Sequence, residues 1–435
     1  MRLLADRIKT IAAPSETAAR SARWLAVDRG LRLGVSFVVQ LFVIRHLGPA
    51  GNGILQSGLA LAALAAVVVE LGLDGVVKRE LVRAPERTGA LLGTATGLRT
   101  LALAPCVAIF VWAARHEPGV TPALTGWLVI MVALPLAQTP EAWLLATGRV
   151  PANVAAQGGA FLAGATLRIA FVIAGAGVVA FGAAAATETL LIAGTLGVAY
   201  LAAAGPASLR WSWDGALARR MLRDATPLLI TTLAISVYRR IDVVILARLL
   251  DSREAGLYAA AVRVSEIGYL APMILLNASF PQLTRWHSDD PAAYRRAMGD
   301  FYRQVTWAGA GFATVMTVAA PWLVRLLFGH AFAAAAVPLA VHAWTAVFIA
   351  HGVARSQWLL LENRQLDGLW LAAGGAVANV ALNFILVPRL GIAGAAVAAV
   401  AALAFNMGVL PVFFPRVRPG WALGWRATFS RRSNA

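Results

Sequence analysis

ATPLLITTLAISVYRRIDVVILARL, residues 225–249, is apolar along nearly its whole length. It exceeds the roughly 20 residues that an α-helix needs to cross the ~30 Å hydrocarbon layer of a bilayer. Its centre nevertheless holds Arg239, Arg240 and Asp242. Even the lowest scales put a central arginine at about 2.5–3.5 kcal/mol, so charges at that depth face a bundle interior or a wet cavity. This stretch therefore predicts a membrane helix that contributes to a polar interior.

Eleven further stretches of the same kind follow from the pattern. The first six spans are 24–46, 53–77, 88–114, 122–146, 152–174 and 178–204; the second six are 225–249, 255–280, 301–328, 332–361, 368–388 and 391–414. Breaks such as HLGPAGNG, RHEPGVTP and GRVPAN carry the glycine and proline chemistry of tight turns. The chain is 59% hydrophobic and 14% charged, with a mean hydropathy of +0.71, against about 45–50% apolar residues in soluble domains. The expectation is an all-α polytopic membrane protein of about twelve transmembrane helices. The first apolar run is too long for a signal peptide, so the amino-terminal helix is expected to stay.

Charge placement sets orientation. The connections on the amino-terminal side hold 23 of the 38 Lys and Arg residues, while the opposite side holds six: Arg45, Arg115, Arg248, Arg253, Arg325 and Arg389. The positive-inside rule then puts both termini in the cytoplasm. The formal charge of +17 would suggest nucleic acid in a soluble protein, but its placement between apolar runs argues for no nucleic-acid partner. The single Cys106 excludes an intramolecular disulfide and cysteine-based metal chemistry.

Laying VIRHLGPAGNGIL (43–55) on LARLLDSREAGLY (246–258) places Arg45 over Arg248 and Gly53 over Gly256, an offset of 203 residues. Six helices per half give both halves one orientation, hence a parallel repeat about an axis along the membrane normal. The expected organisation is a cytoplasmic segment 1–23, an amino-terminal six-helix lobe 24–204, an amphipathic linker 205–224 at the anionic cytoplasmic surface, a carboxy-terminal lobe 225–414 and a basic tail 415–435. The competing reading of 205–224 is an ordinary linker.

Nine arginines fall within spans: Arg29, Arg32, Arg99, Arg168, Arg239, Arg240, Arg263, Arg303 and Arg355; seven acids accompany them: Asp28, Glu70, Asp74, Glu141, Glu188, Asp242 and Glu266. Arg239 with Asp242 and Arg263 with Glu266, each three apart, share a helix face, as do Glu70 and Asp74, four apart. Such pairs read either as internal salt bridges or as parts of a site. Arg99, Arg168 and Arg355 have no acid within four positions, so their partners come from other helices, water or a ligand. Guanidinium groups bind phosphate in bidentate fashion, which makes an anionic, phosphate-bearing substrate the economical expectation. His342 and His351, nine apart, lack metal-ligand spacing and read as packing or cavity-lining residues. No Gly-x-x-x-x-Gly-Lys-Ser/Thr loop is present, which excludes ATP hydrolysis by that route. No connection is long enough for a catalytic domain. Most tryptophans, among them Trp24, Trp112, Trp127, Trp211, Trp213, Trp322, Trp421 and Trp425, read as interfacial belts.

RHLGPAGNGILQSGLALA at the first turn, the segment from RRIDVVILARLL through PQLTR, and VPRLGIAGAAVAAVAALAFNMGVLP near the end resemble the polysaccharide-transporter branch of the multidrug/oligosaccharidyl-lipid/polysaccharide exporter superfamily, which includes the O-antigen flippases. Ile54 and Leu55 stand where that family usually has an aromatic, which the second half keeps as Tyr258. The resemblance implies two lobes around a cavity open alternately to each side, a substrate of oligosaccharide joined through pyrophosphate to a polyprenol, and no catalytic chemistry, resident metal or cofactor. It further implies membrane lipids and polysaccharide polymerase or assembly proteins as partners, a coupling ion (H+ or Na+), and a bacterial inner membrane location. By that likeness Arg32, Arg99, Arg168, Arg239, Arg240, Arg263 and Arg355 line the cavity, while Glu70, Asp74, Asp242 and Glu266 balance charge or carry the coupling ion. The alternatives are a cation-coupled exporter of small molecules with the same fold, and a membrane glycosyltransferase.

Overall fold

The computed structural model describes residues 16–205, 208 and 210–429; the outer parts of the expected terminal segments lie outside that range, as do the side chains of Trp24, Asp28 and Arg29. The regular structure is helical and no strand occurs among the described residues. Burying apolar side chains in lipid while satisfying every backbone group within each segment leaves the helix as the available form.

The first helix, α1 (Glu16–Glu70), is broken at Gly48, whose φ of 65° and ψ of 179° no helix accommodates, with Pro49 directly after. HLGPAGNG is thus the turn that its residues predicted. After Leu71 and Gly72, both at positive φ, come α2 (Leu73–Arg83), α3 (Thr88–Arg115), α4 (Pro122–Val132), α5 (Leu134–Ala146), α6 (Val150–Ile173) and α7 (Val178–Ala204). The second half is α8 (Gly215–Leu249), α9 (Ser252–Ser265), α10 (Leu270–Asp289), α11 (Pro291–Phe328), α12 (Ala336–His342), α13 (Thr345–Leu361), α14 (Gln365–Ala404) and α15 (Arg418–Phe429). Side-chain caps set several starts: Thr121 accepts from the Leu124 amide, Asp251 from that of Glu254 and Asp290 from those of Ala292 and Ala293, satisfying donors that a helix leaves open.

Among the described residues, seven helical segments are long and apolar enough to cross a membrane. Two of them, Gly30–Arg83 and Gln365–Phe413, have 54 and 49 residues, more than twice the need of one crossing, and each is interrupted by a glycine outside helical geometry, Gly48 or Gly391.

The first half packs around Leu124, Leu128, Phe110 and Val69, the second around Leu257, Tyr258, Phe328 and Phe332. The halves meet near the amino-terminal side, where Gly72 backs onto Ala225 and Leu229 of α8, and again at the opposite end, where α1 crosses α9 at Gly53 and Gly256. A Cβ on Gly53 would fall on the Ser252 carbonyl, and one on Gly256 on the Pro49 carbonyl. Each contact maps onto the other by the 203-residue offset, as a twofold axis through the crossing requires. Asn52 Nδ2 donates to Gly256 O at 2.9 Å, Arg248 Nε donates to Glu117 Oε2 at 2.8 Å, and Ser252 Oγ donates to Pro118 O at 2.9 Å. Arg45 donates to the Leu326 carbonyl at the same end. Burial holds the Glu117 carboxyl above the ordinary carboxylate range, with Arg248 partly offsetting this.

The stretch joining the halves lies along α3. Gly89, Gly93 and Gly97, four apart, present a bare track to the Arg210 carbonyl, the Ser212 backbone and the Trp213 ring. Ser212 N donates to Gly89 O, Asp214 N to Thr94 Oγ1, and Arg87 pairs with Asp214 at 3.3 Å. Asp214 also caps α8 through the Leu217 and Ala216 amides, which hold its carboxyl below the ordinary range. Residues 215–224 are the opening turns of α8 rather than a detached surface helix, with Leu217, Ala218 and Met221 buried and Arg219 and Arg220 exposed. Similarly, the described part of the tail is not simply a basic extension: α15 packs Gly420 on the Trp358 ring and Gly424 against Tyr302 and His351. Trp421 and Trp425 donate inward to Gly408 O and Met407 O, and Trp211 to Tyr200 Oη, so these three pack within the protein. Trp112 and Trp322, at 63% and 64% exposure, keep the outward position expected of a belt.

Candidate functional site

The centre of α8 sends its polar residues in different directions, because each position turns about 100° from the last. Tyr238 and Asp242, four apart, point into the second half. Tyr238 Oη donates to Ala399 O, and Asp242, 5% exposed, accepts from Tyr258 Oη at 2.8 Å and Asn383 Nδ2 at 2.9 Å. Arg240, about 200° round from Asp242, faces the first half and lines a cavity there. Arg239 reaches Glu266 Oε1 at 2.8 Å.

The i,i+3 pairs expected from the sequence are therefore exchanged: Arg239 joins Glu266 rather than Asp242, and Arg263 donates to Ser36 Oγ of α1 at 2.9 Å. The physical reason is that other helices offer partners: Tyr258 and Asn383 occupy the Asp242 carboxylate, and Arg239 reaches across to Glu266 just beyond α9. Glu70 and Asp74 also do not share one helix face, since Leu71 and Gly72 at positive φ separate their helices; Asp74 pairs instead with Lys78 at 2.8 Å.

The cavity has a volume of about 260 Å³, bounded by Ser36, Gln40 and Gln56 of α1, Arg168 of α6, Glu188 of α7 and Arg240, with apolar walls that include Phe161 and Phe181. Arg168 Nη2 and Glu188 Oε2 pair at 2.6 Å. Gly164 makes room for that carboxylate, since a Cβ there would lie 2.7 Å from Glu188 Oε2. Arg32 donates to Gln157 Oε1 at 3.3 Å. Arg168, Arg239, Arg240 and Arg263 together face the two carboxylates Glu188 and Glu266, leaving an excess of two positive charges. Arg239 and Arg240, in the carboxy-terminal half of α8, are both exposed.

Arg99 and Arg355 are elsewhere. Arg99 is fully buried on Thr139 Oγ1, with its Nε and Nη2 groups unpaired among the described residues. Arg355 donates to Asn406 O and Asn406 Oδ1, both at 2.8 Å. Neither lines the cavity, nor do Glu70 and Asp74. His342 bonds with Ser265 Oγ and His351 stacks on Trp425, and no group of three potential metal ligands occurs among the described residues. Gln40, Gln56, Glu117 and the Asp242 partner Asn383 are the polar positions that sequence reasoning passed over, while Tyr258 was noted only as the aromatic of the second turn. Only Asn379 and Asn383, four apart on one face of an apolar span, carried a readable signal.

The bundle of long apolar helices defines an all-α polytopic membrane fold, which solved structures share. One solved structure with this fold is an inward-facing multidrug resistance MATE family transporter of the MOP superfamily, at TM-score 0.66 and 14% identity over 91% of this chain and 96% of that one. Another is the lipid II flippase MurJ in an inward closed conformation, at TM-score 0.68 and 11% identity over 94% and 90%. A third is a mutant of the Vibrio cholerae MATE transporter VcmN, at 0.55 and 13% over 96% and 98%. No curated protein matches the chain in sequence. The family model described as polysaccharide biosynthesis protein matches residues 18–287, and the chain belongs to that family.

Proposed function

We propose that this protein is a flippase that moves a polyprenyl-pyrophosphate-linked oligosaccharide across the bacterial inner membrane by alternating access, without covalent chemistry. Membership in the polysaccharide biosynthesis family supports the substrate class. Twelve crossings in two six-helix lobes, 24–204 and 225–414, with both termini in the cytoplasm, follow from the span pattern, the glycine breaks at 48 and 391 and the placement of Lys and Arg. In that topology the Gly53–Gly256 crossing closes the periplasmic end, and the cationic interior faces the cytoplasm, where the lipid-linked substrate is made.

The observation that carries the reading is Arg240: its guanidinium lines the cavity and forms no hydrogen bond with any described residue. A cation at membrane depth without a dedicated acceptor is costly, and an anionic group of the substrate supplies one. Arg32, Arg168, Arg239, Arg240 and Arg263 form the substrate surface; Arg99 and Arg355 hold helices together. Asp242, enclosed by Tyr258 and Asn383, carries the coupling ion, H+ or Na+, and Glu266 balances Arg239. Replacing Arg239 and Arg240 together by alanine is expected to abolish surface polysaccharide while the protein remains in the membrane at normal abundance. Undiminished polysaccharide from the double variant would refute this. The MATE-like fold and the buried Asp242 favour one second reading, a cation-coupled exporter of small molecules; drug sensitivity conferred by the variant with polysaccharide intact would select it.

A further inference from the structure

The cavity beside Arg240 is built for something other than pyrophosphate alone. Gln40 and Gln56 both line it, one from each arm of α1, and neither amide makes a hydrogen bond with a described residue. Ser36 contributes a hydroxyl, and the Arg168–Glu188 pair supplies donors and acceptors at the same wall. An amide both donates and accepts, as does a sugar hydroxyl, whereas a pyrophosphate only accepts. The volume of about 260 Å³ is below the roughly 300–1,000 Å³ typical of drug-sized sites, so it admits one ring rather than an oligosaccharide. Of the two described cations at this wall, Arg168 is paired with its carboxylate, whereas Arg240 feels Glu266 only at a distance and makes no ion pair with it.

We infer that this cavity is a monosaccharide subsite, in which Gln40, Gln56 and the Arg168–Glu188 pair hold the hydroxyls of one sugar ring and Arg240 takes an acidic substituent on it. The inference rests on the flippase reading and deepens it by naming the sugar class: the translocated glycan carries a uronic acid or a comparably acidic sugar. Arg239 and Arg263, outside the cavity wall, remain for the pyrophosphate.

The test uses the full-length protein in nanodiscs of phosphatidylethanolamine and phosphatidylglycerol, with three short-chain polyprenyl pyrophosphate probes: glucuronosyl, glucosyl and unglycosylated. The wild type is expected to bind the glucuronosyl lipid tightest. Gln40→Leu with Gln56→Leu should weaken both glycosylated probes about tenfold, the loss of two ordinary hydrogen bonds, and the milder pair Gln40→Asn and Gln56→Asn should do so less. Unchanged binding of the unglycosylated probe shows that the variants fold. If the leucine variant binds all three probes as the wild type does, the subsite is overturned and the flippase reading stands. Equal wild-type affinity for glucuronosyl and glucosyl lipids overturns the acidic sugar. If the wild type binds no pyrophosphate lipid above the phosphatidylglycerol background, the flippase reading fails and the subsite falls with it.

Discussion

Replacing Gly256 by alanine should prise the far end of the bundle apart. A Cβ there would collide with the Pro49 carbonyl, lying 2.8 Å from its carbon and 2.7 Å from the Gly53 nitrogen. Backbone atoms cannot swing aside as a side chain would, so α1 and α9 must separate. Separation takes the bond from Asn52 Nδ2 to Gly256 O with it, and Asn52 is fully buried with its Oδ1 already unpaired among the described residues. An orphaned buried donor costs about 1–3 kcal/mol, and a differential of that size shifts a two-state equilibrium roughly 5- to 150-fold. The opening is read by the rate at which a membrane-impermeant maleimide labels Ser252→Cys from outside, in a Cys106→Ala background; the native thiol is buried. Gly311→Ala serves as the control, because nothing lies within 4 Å of its added methyl. The Gly256→Ala protein should label at least about fivefold faster. A rate equal to the control, in protein that remains monodisperse, would refute the reasoning that this crossing holds the end shut.

Asp242→Asn keeps the side-chain shape but removes the charge; it should leave lipid binding intact and abolish the response of transport to a proton or sodium gradient, measured in proteoliposomes. Tyr258→Phe removes one of the two donors described for Asp242 and should destabilise the protein by about 1–3 kcal/mol, seen as a lowered midpoint in detergent melting. Closure of the far end should depend on pH: burial raises the Glu117 pKa in the closed contact, so the closed form binds the proton more tightly than an exposed glutamate would. Acidifying from neutral toward the ordinary carboxyl pKa of about 4.3 therefore favours closure, and Ser252→Cys labelling should slow as pH falls, once corrected for thiolate reactivity, and lose that dependence in Glu117→Gln.

The fold was legible because lipid makes a simple demand on sequence: long apolar runs with glycine and proline at their ends. The 203-residue offset was readable from Arg45, Gly53 and their counterparts and reappears as the Gly53–Gly256 crossing. Charged residues were also easy to find in apolar runs, but their partners were not. Helical spacing assigns Arg239 to Asp242 only while neighbouring helices are ignored. The approach of Ser36, Glu266, Tyr258 and Asn383 from other helices decides otherwise, and no local pattern encodes those approaches. Gln40 and Gln56 were passed over because an uncharged amide in an apolar run gives little signal until the cavity around it is visible.

The connection between the halves is threaded into the glycine track of α3 and pinned there through Thr94 and Arg87. It is thus a fitted part of the first half, not a slack tether. When the halves swing, bending has to be taken up beyond Asp214, where Pro227 interrupts the hydrogen-bond ladder of α8. Cutting the chain just after Gly205, ahead of the threaded stretch, would leave residues 210–214 as a handle on the second fragment, and two separately synthesised fragments should find each other in the membrane through it.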